Sequence, residues 1–212
     1  MRKLILMMLV VMIIGIQNVC GAVTIEDNRS PFHEKVFYPL VRMEDKTIEK
    51  KINGAIIAEV DRFVTMVYRN AEKIDATVAG IHITYDVPCN EAGNTVILSI
   101  VFTESNYYEG AAHPATYNHA LNFNTSSGEL MGKDYLLEVG EGLREGYLIE
   151  RLEQKLREQS ARENIYLFPD ALPLKKLPED FYWDSNLHVH FIFQHYEIAP
   201  YAAGIIDVDI DD

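Results

Sequence analysis

The 212-residue sequence predicts an α+β fold: an antiparallel or mixed sheet with two main helices packed on it, divided into two small lobes. Three observations lead there. Two stretches carry apolar residues at helical spacing, most connections between the extended stretches are of hairpin length, and the run at 95–103 is apolar enough to be covered on both faces. Short connections join neighbouring strands antiparallel, whereas a doubly wound parallel sheet needs a long crossover after each strand.

Each element follows from local pattern. Over 34–42, Val36, Tyr38 and Leu40 share one face of an extended segment, and Pro39 marks an edge position because it cannot donate to a ladder. Asp45 caps the helix that follows, with Glu49 in its first turn. Ile48, Ile52, Ile56, Val60, Phe63 and Val67 then recur at steps of three and four as far as about Asn70, a stripe that belongs in a core. Two strands, 76–87 and 95–103, are joined through Glu91-Ala92-Gly93-Asn94, and a turn is expected at Pro88-Cys89-Asn90. In the second strand Val96, Leu98, Ile100 and Phe102 alternate with residues that are themselves partly apolar.

A polar stretch at 104–109 leads through Gly110-Ala111-Ala112-His113-Pro114 to a strand at 117–123, which ends in the turn Thr125-Ser126-Ser127-Gly128. Leu130 and residues 133–137 continue beyond that turn. The second helix is expected over 140–160, with Leu148, Leu152 and Leu156 in line and Glu153 and Arg157 paired on its surface. Pro169, Pro173 and Pro178 mark a connection, and strands near 181–183, 187–194 and 204–211 close the chain. The expected organisation is a leader at 1–22, an N-terminal lobe at 23–110 and a C-terminal lobe at 111–212.

The leader is read from Arg2 and Lys3 followed by 13 uncharged residues, Leu4–Ile16, the layout of a secretory signal. That run is shorter than the roughly 18–20 residues a membrane-crossing helix needs. Cleavage after Ala22 would place Cys20 at the minus-three position. Lipidation of Cys20 is the alternative, although Asn18 and Val19 do not make the small-residue context it prefers. The expected location is therefore outside the cytoplasm, periplasmic or secreted, with no stable membrane span after cleavage.

Loss of the leader moves the formal charge from −13 to −15, because Arg2 and Lys3 leave with it. Nucleic acid is a poor partner for such a chain, since no Lys/Arg cluster is available to displace phosphate counterions. A cationic partner is the natural complement, and the same acidity also serves solubility. Cys89 is then the sole cysteine, either a free thiol or one that pairs between chains.

Catalytic and metal chemistry find little footing. His188 and His190 share one strand face and, with His195 or Glu197, could in principle gather zinc, but there is no His-Glu-x-x-His and alternating histidines suit a half-buried strand equally well. No Gly-x-Ser-x-Gly elbow occurs. His113 could serve as a base or could fix its loop. Carboxylate pairs are too frequent in so acidic a chain for any one to be singled out. No cofactor and no metal are expected. At the end of the chain Asp207, Asp209 and Asp211 share a strand face while Ile206, Val208 and Ile210 point inward. Such a stripe suits a cationic protein or calcium, or guards an edge strand against aggregation.

Three stretches carry a family resemblance: Tyr108-Glu109-Gly110-Ala111-Ala112-His113-Pro114, Phe123-Asn124-Thr125-Ser126-Ser127-Gly128-Glu129-Leu130, and above all Gln194-His195-Tyr196-Glu197-Ile198-Ala199-Pro200-Tyr201-Ala202-Ala203-Gly204. They resemble the RsiV-like extracytoplasmic domain of lysozyme-sensing anti-sigma factors and some peptidoglycan deacetylases. Tyr38-Pro39-Leu40 and Ile52-Asn53 resemble its preceding lobe. Ala111 departs from the family, which more often has glycine there, so a positive φ at that position would be strained.

The resemblance implies a binding role, with lysozyme as the ligand of the anti-sigma-factor members, and it does not imply catalysis. In the longest motif Tyr196, Pro200 and Tyr201 interleave with Glu197, which suits either an interface anchor or a tight structural corner. The candidate binding residues are Tyr108, His113, Tyr196, Glu197, Tyr201, Asp207, Asp209 and Asp211. The expected function is an exported, non-enzymatic domain that binds a lysozyme-like or other cationic protein, or peptidoglycan. The alternatives are a glycan-modifying envelope hydrolase or deacetylase accessory protein, and a structural envelope module. The resemblance places a cytoplasmic region and a membrane helix ahead of this domain in the sensing relatives. Here only Met1, Arg2 and Lys3 precede the apolar run, so binding without signalling across the membrane is expected.

Overall fold

The structure, a computed structural model, describes residues 23–139 and 145–211; the expected leader at 1–22 lies outside the described residues. Among the described residues, three antiparallel sheets and three α-helices make up an α+β fold. The chain opens with a hairpin of β1 (Thr24–Arg29) and β2 (Phe37–Arg42), followed by the 28-residue helix α1 (Lys46–Lys73). A four-stranded sheet follows, in the order β3 (Val78–Asn90), β4 (Ile97–Tyr108), β5 (Ala115–Asn124) and β6 (Glu129–Leu130). After α2 (Lys133–Val139) and α3 (Glu145–Glu163), a three-stranded sheet is built from β7 (Asp180–Trp183), β8 (Val189–Phe193) and β9 (Ile206–Asp209).

Helix α1 starts where Asp45 accepts hydrogen bonds from the N–H groups of Thr47 (2.8 Å) and Ile48 (3.1 Å), satisfying donors that have no partner within the helix. Its stripe of Ile52, Ile56, Val60, Phe63 and Val67 is buried against Leu98, Ile100 and Phe102 of β4 and against Val36 and Val41. One side chain of α1 replaces a strand: Asn53 accepts from Val41 N–H and donates to Val41 C=O, both at 2.8 Å. The hairpin is thus clipped to the helix.

The first core uses one face of the four-stranded sheet, and β7 crosses the other. Trp183 N–H donates to Ser99 Oγ (3.1 Å), and Asn122 Nδ2 donates to Phe181 C=O (2.7 Å), so polar side chains of β4 and β5 satisfy the backbone of β7. This is the double covering expected of β4. The second core gathers Leu148, Leu152 and Leu156 of α3 with Phe181, Trp183, Phe191, Phe193, Ile206 and Val208.

Several details differ from the sequence-based expectation. The polar strand β1 buries little, packing Ile25 against the first core, so its pattern carries no strong signal. Residues 133–139, to which the sequence pattern assigns no element, form a helix. Cys89 lies inside β3, opposite Ser99, where the register shifts across Pro88; a bulge accommodates the proline, and the chain turns only at 91–94. The thiol is free, 1% exposed and pushed above its usual pKa by burial, a position that offers nothing to a second chain. The turn at 110/111 joins β4 to β5, which are neighbours in one sheet.

Candidate functional site

Two of the signature stretches, some eighty residues apart, meet at one corner. The turn after β4 takes its positive φ at Gly110 (79°), and Ala111 keeps an ordinary φ, so the departure at Ala111 brings no strain. This turn presents His113, whose Nδ1 donates to Pro114 C=O at 2.8 Å. The second stretch begins with a turn in which Glu197 N–H donates to Gln194 C=O (3.1 Å) and the Glu197 carboxylate accepts from Gln194 N–H (2.8 Å). Ile198 and Ala199 are buried in the second core, and Pro200 (φ −60°) starts a short 3-10 turn over Tyr201–Ala203. Gly204 ends it at φ 77°, ψ −167°, a conformation essentially reserved for glycine.

The Tyr201 ring is sandwiched between His113, with centroids 4.1 Å apart, and His195, at 4.3 Å; its hydroxyl points to the same Pro114 carbonyl at 3.4 Å. Tyr196 tilts toward Tyr201 at 5.7 Å, yet its side chain is mostly in solvent, at 58% exposure, and its φ is +64°. A non-glycine residue held at positive φ costs about 1 kcal/mol or more. Local structure over-determines this position: the turn from Gln194 to Glu197 is closed on one side, and Ile198 is buried on the other. The corner therefore combines the two readings of the motif. Its frame is structural, and it displays an aromatic surface beside the exposed carboxylate of Glu197.

The remaining predicted residues lie elsewhere. Tyr108 is half-buried, and its hydroxyl donates to Val67 C=O of α1 at 3.0 Å, which ties sheet to helix. On β9 the aspartates alternate with the buried Ile206, Val208 and Ile210 as expected, but they are not a bare acidic stripe. Asp207 contacts His190 Nδ1 (2.8 Å) and accepts from the Tyr182 hydroxyl (2.6 Å), Asp209 contacts His188 Nδ1 (2.9 Å), and Asp211 accepts from Val189 N–H (2.8 Å). Burial opposes the charged form of His190, but the bond to Asp207 and the neighbouring aspartates outweigh it and raise its pKa; the bond to Asp209 raises that of His188. The histidine strand is thus hydrogen-bonded to the aspartate strand. Among the described residues, no group of three or more His, Cys, Asp or Glu is arranged to hold a metal ion.

A second polar cluster, which the sequence reading missed, adjoins the corner through Gln194. The outer edge of β5 is capped by side chains: Gln194 accepts from Asn118 N–H (3.0 Å) and donates to Asn118 C=O (2.6 Å), while Asp180 accepts from Ala120 N–H (3.0 Å). Asp180 also holds His119 Nδ1 at 2.6 Å. From α1, Arg62 forks onto Glu59 through Nε (2.7 and 2.8 Å) and reaches Glu104 on β4 through Nη2 (3.0 Å). Burial works against the Glu59 carboxylate, but the Arg62 bond and the His119 charge prevail and lower its pKa. Glu104 goes the other way: burial, then the Glu59 charge, push it to about 8. His119 is disfavoured as a cation by burial, yet Asp180, Glu59 and Glu104 raise it.

A signal for these residues was present. Glu59 falls on the buried stripe of α1 between Ile56 and Phe63, and Glu104 is the next inward position after Leu98, Ile100 and Phe102. A carboxylate at a position that periodicity assigns to the core must find partners.

Comparison with known proteins finds a similarity over the C-terminal third of the chain. Residues 141–211 match the family model described as "Protein of unknown function (DUF3298)", a stretch that includes α3, β7–β9 and the 194–204 segment. Two solved structures share the fold. One is a member of the DUF3298 family from Bacteroides fragilis NCTC 9343, 15% identical, with a TM-score of 0.58 and 90% of each chain covered. The other is a DUF3298 family protein from Pseudomonas aeruginosa PAO1, 13% identical, with a TM-score of 0.55 and the same 90% coverage of both chains. No curated protein matches the chain in sequence. No helix among the described residues is long and apolar enough to cross a membrane.

Proposed function

We propose that this protein is an exported, non-enzymatic binding domain of the RsiV-like kind, whose ligand is a cationic protein such as a lysozyme-like hydrolase gripped at the aromatic corner. The observation that carries the proposal is the meeting of His113, His195, Tyr196 and Tyr201 at one place, with Tyr196 exposed at a positive φ. Exposed, rigid tyrosines lose little entropy on binding and anchor interfaces. His113 supports a binding reading over a catalytic one, because its Nδ1 holds the Pro114 carbonyl and its ring is stacked on Tyr201. Glu197 beside the corner, together with a formal charge of −13, favours a basic partner and speeds encounter with it. The leader pattern at 1–22 supports export.

Calorimetric titration with lysozyme at low and moderate salt tests the proposal. The expected result is saturable binding that weakens as salt rises and falls at least about tenfold in Tyr201→Ala, the loss of one interface anchor. Absence of binding at both salts sinks the lysozyme version. A parallel titration with a peptidoglycan fragment that binds at the corner while lysozyme does not would reassign the ligand to the glycan.

A further inference from the structure

One end of the second core opens into a pocket of about 380 Å³ that shares no residue with the aromatic corner. Its wall is apolar. Leu136 of α2, Leu148 of α3 and Ile210 are buried members of that core, and Val189 of β8 packs against it. Its more exposed side carries one charge of each sign, Arg151 and Asp211, beside the ring of Tyr147. Tyr147 and Arg151 are four residues apart on α3 and so share a face of the helix. Arg151 Nε donates to Ile210 C=O at 2.8 Å, which holds the guanidinium at the end of β9 and leaves its terminal N–H groups uncommitted among the described residues. The Asp211 carboxylate accepts from Val189 N–H through one oxygen at 2.8 Å. Ile210 and Asp211 are consecutive, yet no ion pair joins Arg151 to Asp211, and neither pairs with another charge among the described residues. Each charge is thus fixed by the backbone and keeps hydrogen-bonding capacity to spare.

We propose that this pocket binds a free α-amino acid with an apolar side chain of about leucine size. The ligand carboxylate takes the terminal N–H groups of Arg151, its ammonium meets Asp211, and its side chain enters the space among Leu136, Leu148, Val189 and Ile210. Three features converge on that class. A guanidinium presents a planar fork of donors that matches a carboxylate. Asp211 repels a simple anion and Arg151 a simple cation, so a zwitterion suits the pair better than either. The four wall side chains offer no hydrogen bond, so a charged or amide side chain would lose its water there without compensation. A few hundred cubic ångströms of apolar space with a small number of fixed polar groups is the usual form of a small-molecule site.

Calorimetric titration of the purified protein with L-leucine tests the proposal, alongside isocaproate, which lacks the ammonium, isoamylamine, which lacks the carboxylate, and L-lysine. The expected result is saturable binding of leucine, binding at least about tenfold weaker for each truncated analogue, and none for lysine. Asp211→Asn keeps an acceptor for Val189 N–H and removes the charge. It should weaken leucine at least about tenfold while leaving isocaproate no weaker than before. Arg151→Gln should bind leucine no better than isoamylamine. No leucine binding by the folded protein, a truncated analogue that binds as well as leucine, or wild-type leucine affinity in Asp211→Asn overturns the proposal. Lysozyme and leucine are titrated separately, so the failure of one reading leaves the other standing.

Discussion

At the scale of single residues, Tyr196 separates structure from function most cleanly. Its ring is mostly in solvent and its backbone is at φ +64°, so little of the fold depends on the side chain. Replacement by glycine relieves about 1 kcal/mol of left-handed strain but adds about 0.5–1 kcal/mol of unfolded-state entropy. Tyr196→Gly should therefore unfold within about 0.5 kcal/mol of the wild type in denaturant titration, while lysozyme binding falls at least about tenfold. A loss of more than about 2 kcal/mol with binding intact would make Tyr196 a structural residue. Tyr201, wedged between two imidazoles, could be recognised from its motif as either anchor or corner, but its stacking partners could not: His113 is distant in sequence, and only the fold brings it to the 194–204 segment.

At the scale of elements, the long periodic patterns were readable and the short polar ones were not. The stripe of α1 and the two-sided burial of β4 follow from spacing, because many apolar residues must agree on a period. By contrast β1 is a polar edge strand, and α2 is seven residues long, too short to show a period. The side-chain caps on backbone edges, Asn53 on Val41 and Gln194 on Asn118, were equally hidden, since a lone amide residue carries no sign of which strand it completes.

Their energetic weight can be compared. Asp45→Ala removes a helix cap whose donors face water and should cost about 1 kcal/mol. Asn53→Ala strands the N–H and C=O of the fully buried Val41 and should cost about 2–3 kcal/mol. Denaturant unfolding of the two variants checks the order, and equal losses would contradict the clip between hairpin and helix.

At the scale of the whole molecule, two cores are joined by a seam whose charged groups make stability depend on pH. Glu104 keeps its proton up to about 8 in the folded chain but loses it near 4.5 when unfolded, so its contribution is complete below about 4.5 and is lost as pH rises through about 8. His119, raised from 6.5, acts in the same direction, with its contribution complete below 6.5 and lost through its higher folded value. Glu59, lowered from 4.5, acts oppositely and loses its contribution as pH falls below that range. Melting temperature should therefore be highest between about pH 4.5 and 6.5 and decline toward pH 9. Glu104→Gln, uncharged at every pH, should flatten that decline and melt above the wild type at pH 8–9, and identical pH profiles would refute the role given to Glu104.

The seam also gives the corner its setting. Gln194 caps β5 with its side chain and closes the Tyr196 turn with its backbone, so the corner adjoins the seam. Hydrogen exchange across the whole chain, with and without lysozyme, tests this account most directly. Slowed exchange on binding should concentrate in the two stretches that build the corner, 107–117 and 194–204. Protection confined to the β1–β2 hairpin or to the exposed face of α3, or no protection at saturating lysozyme, would contradict it.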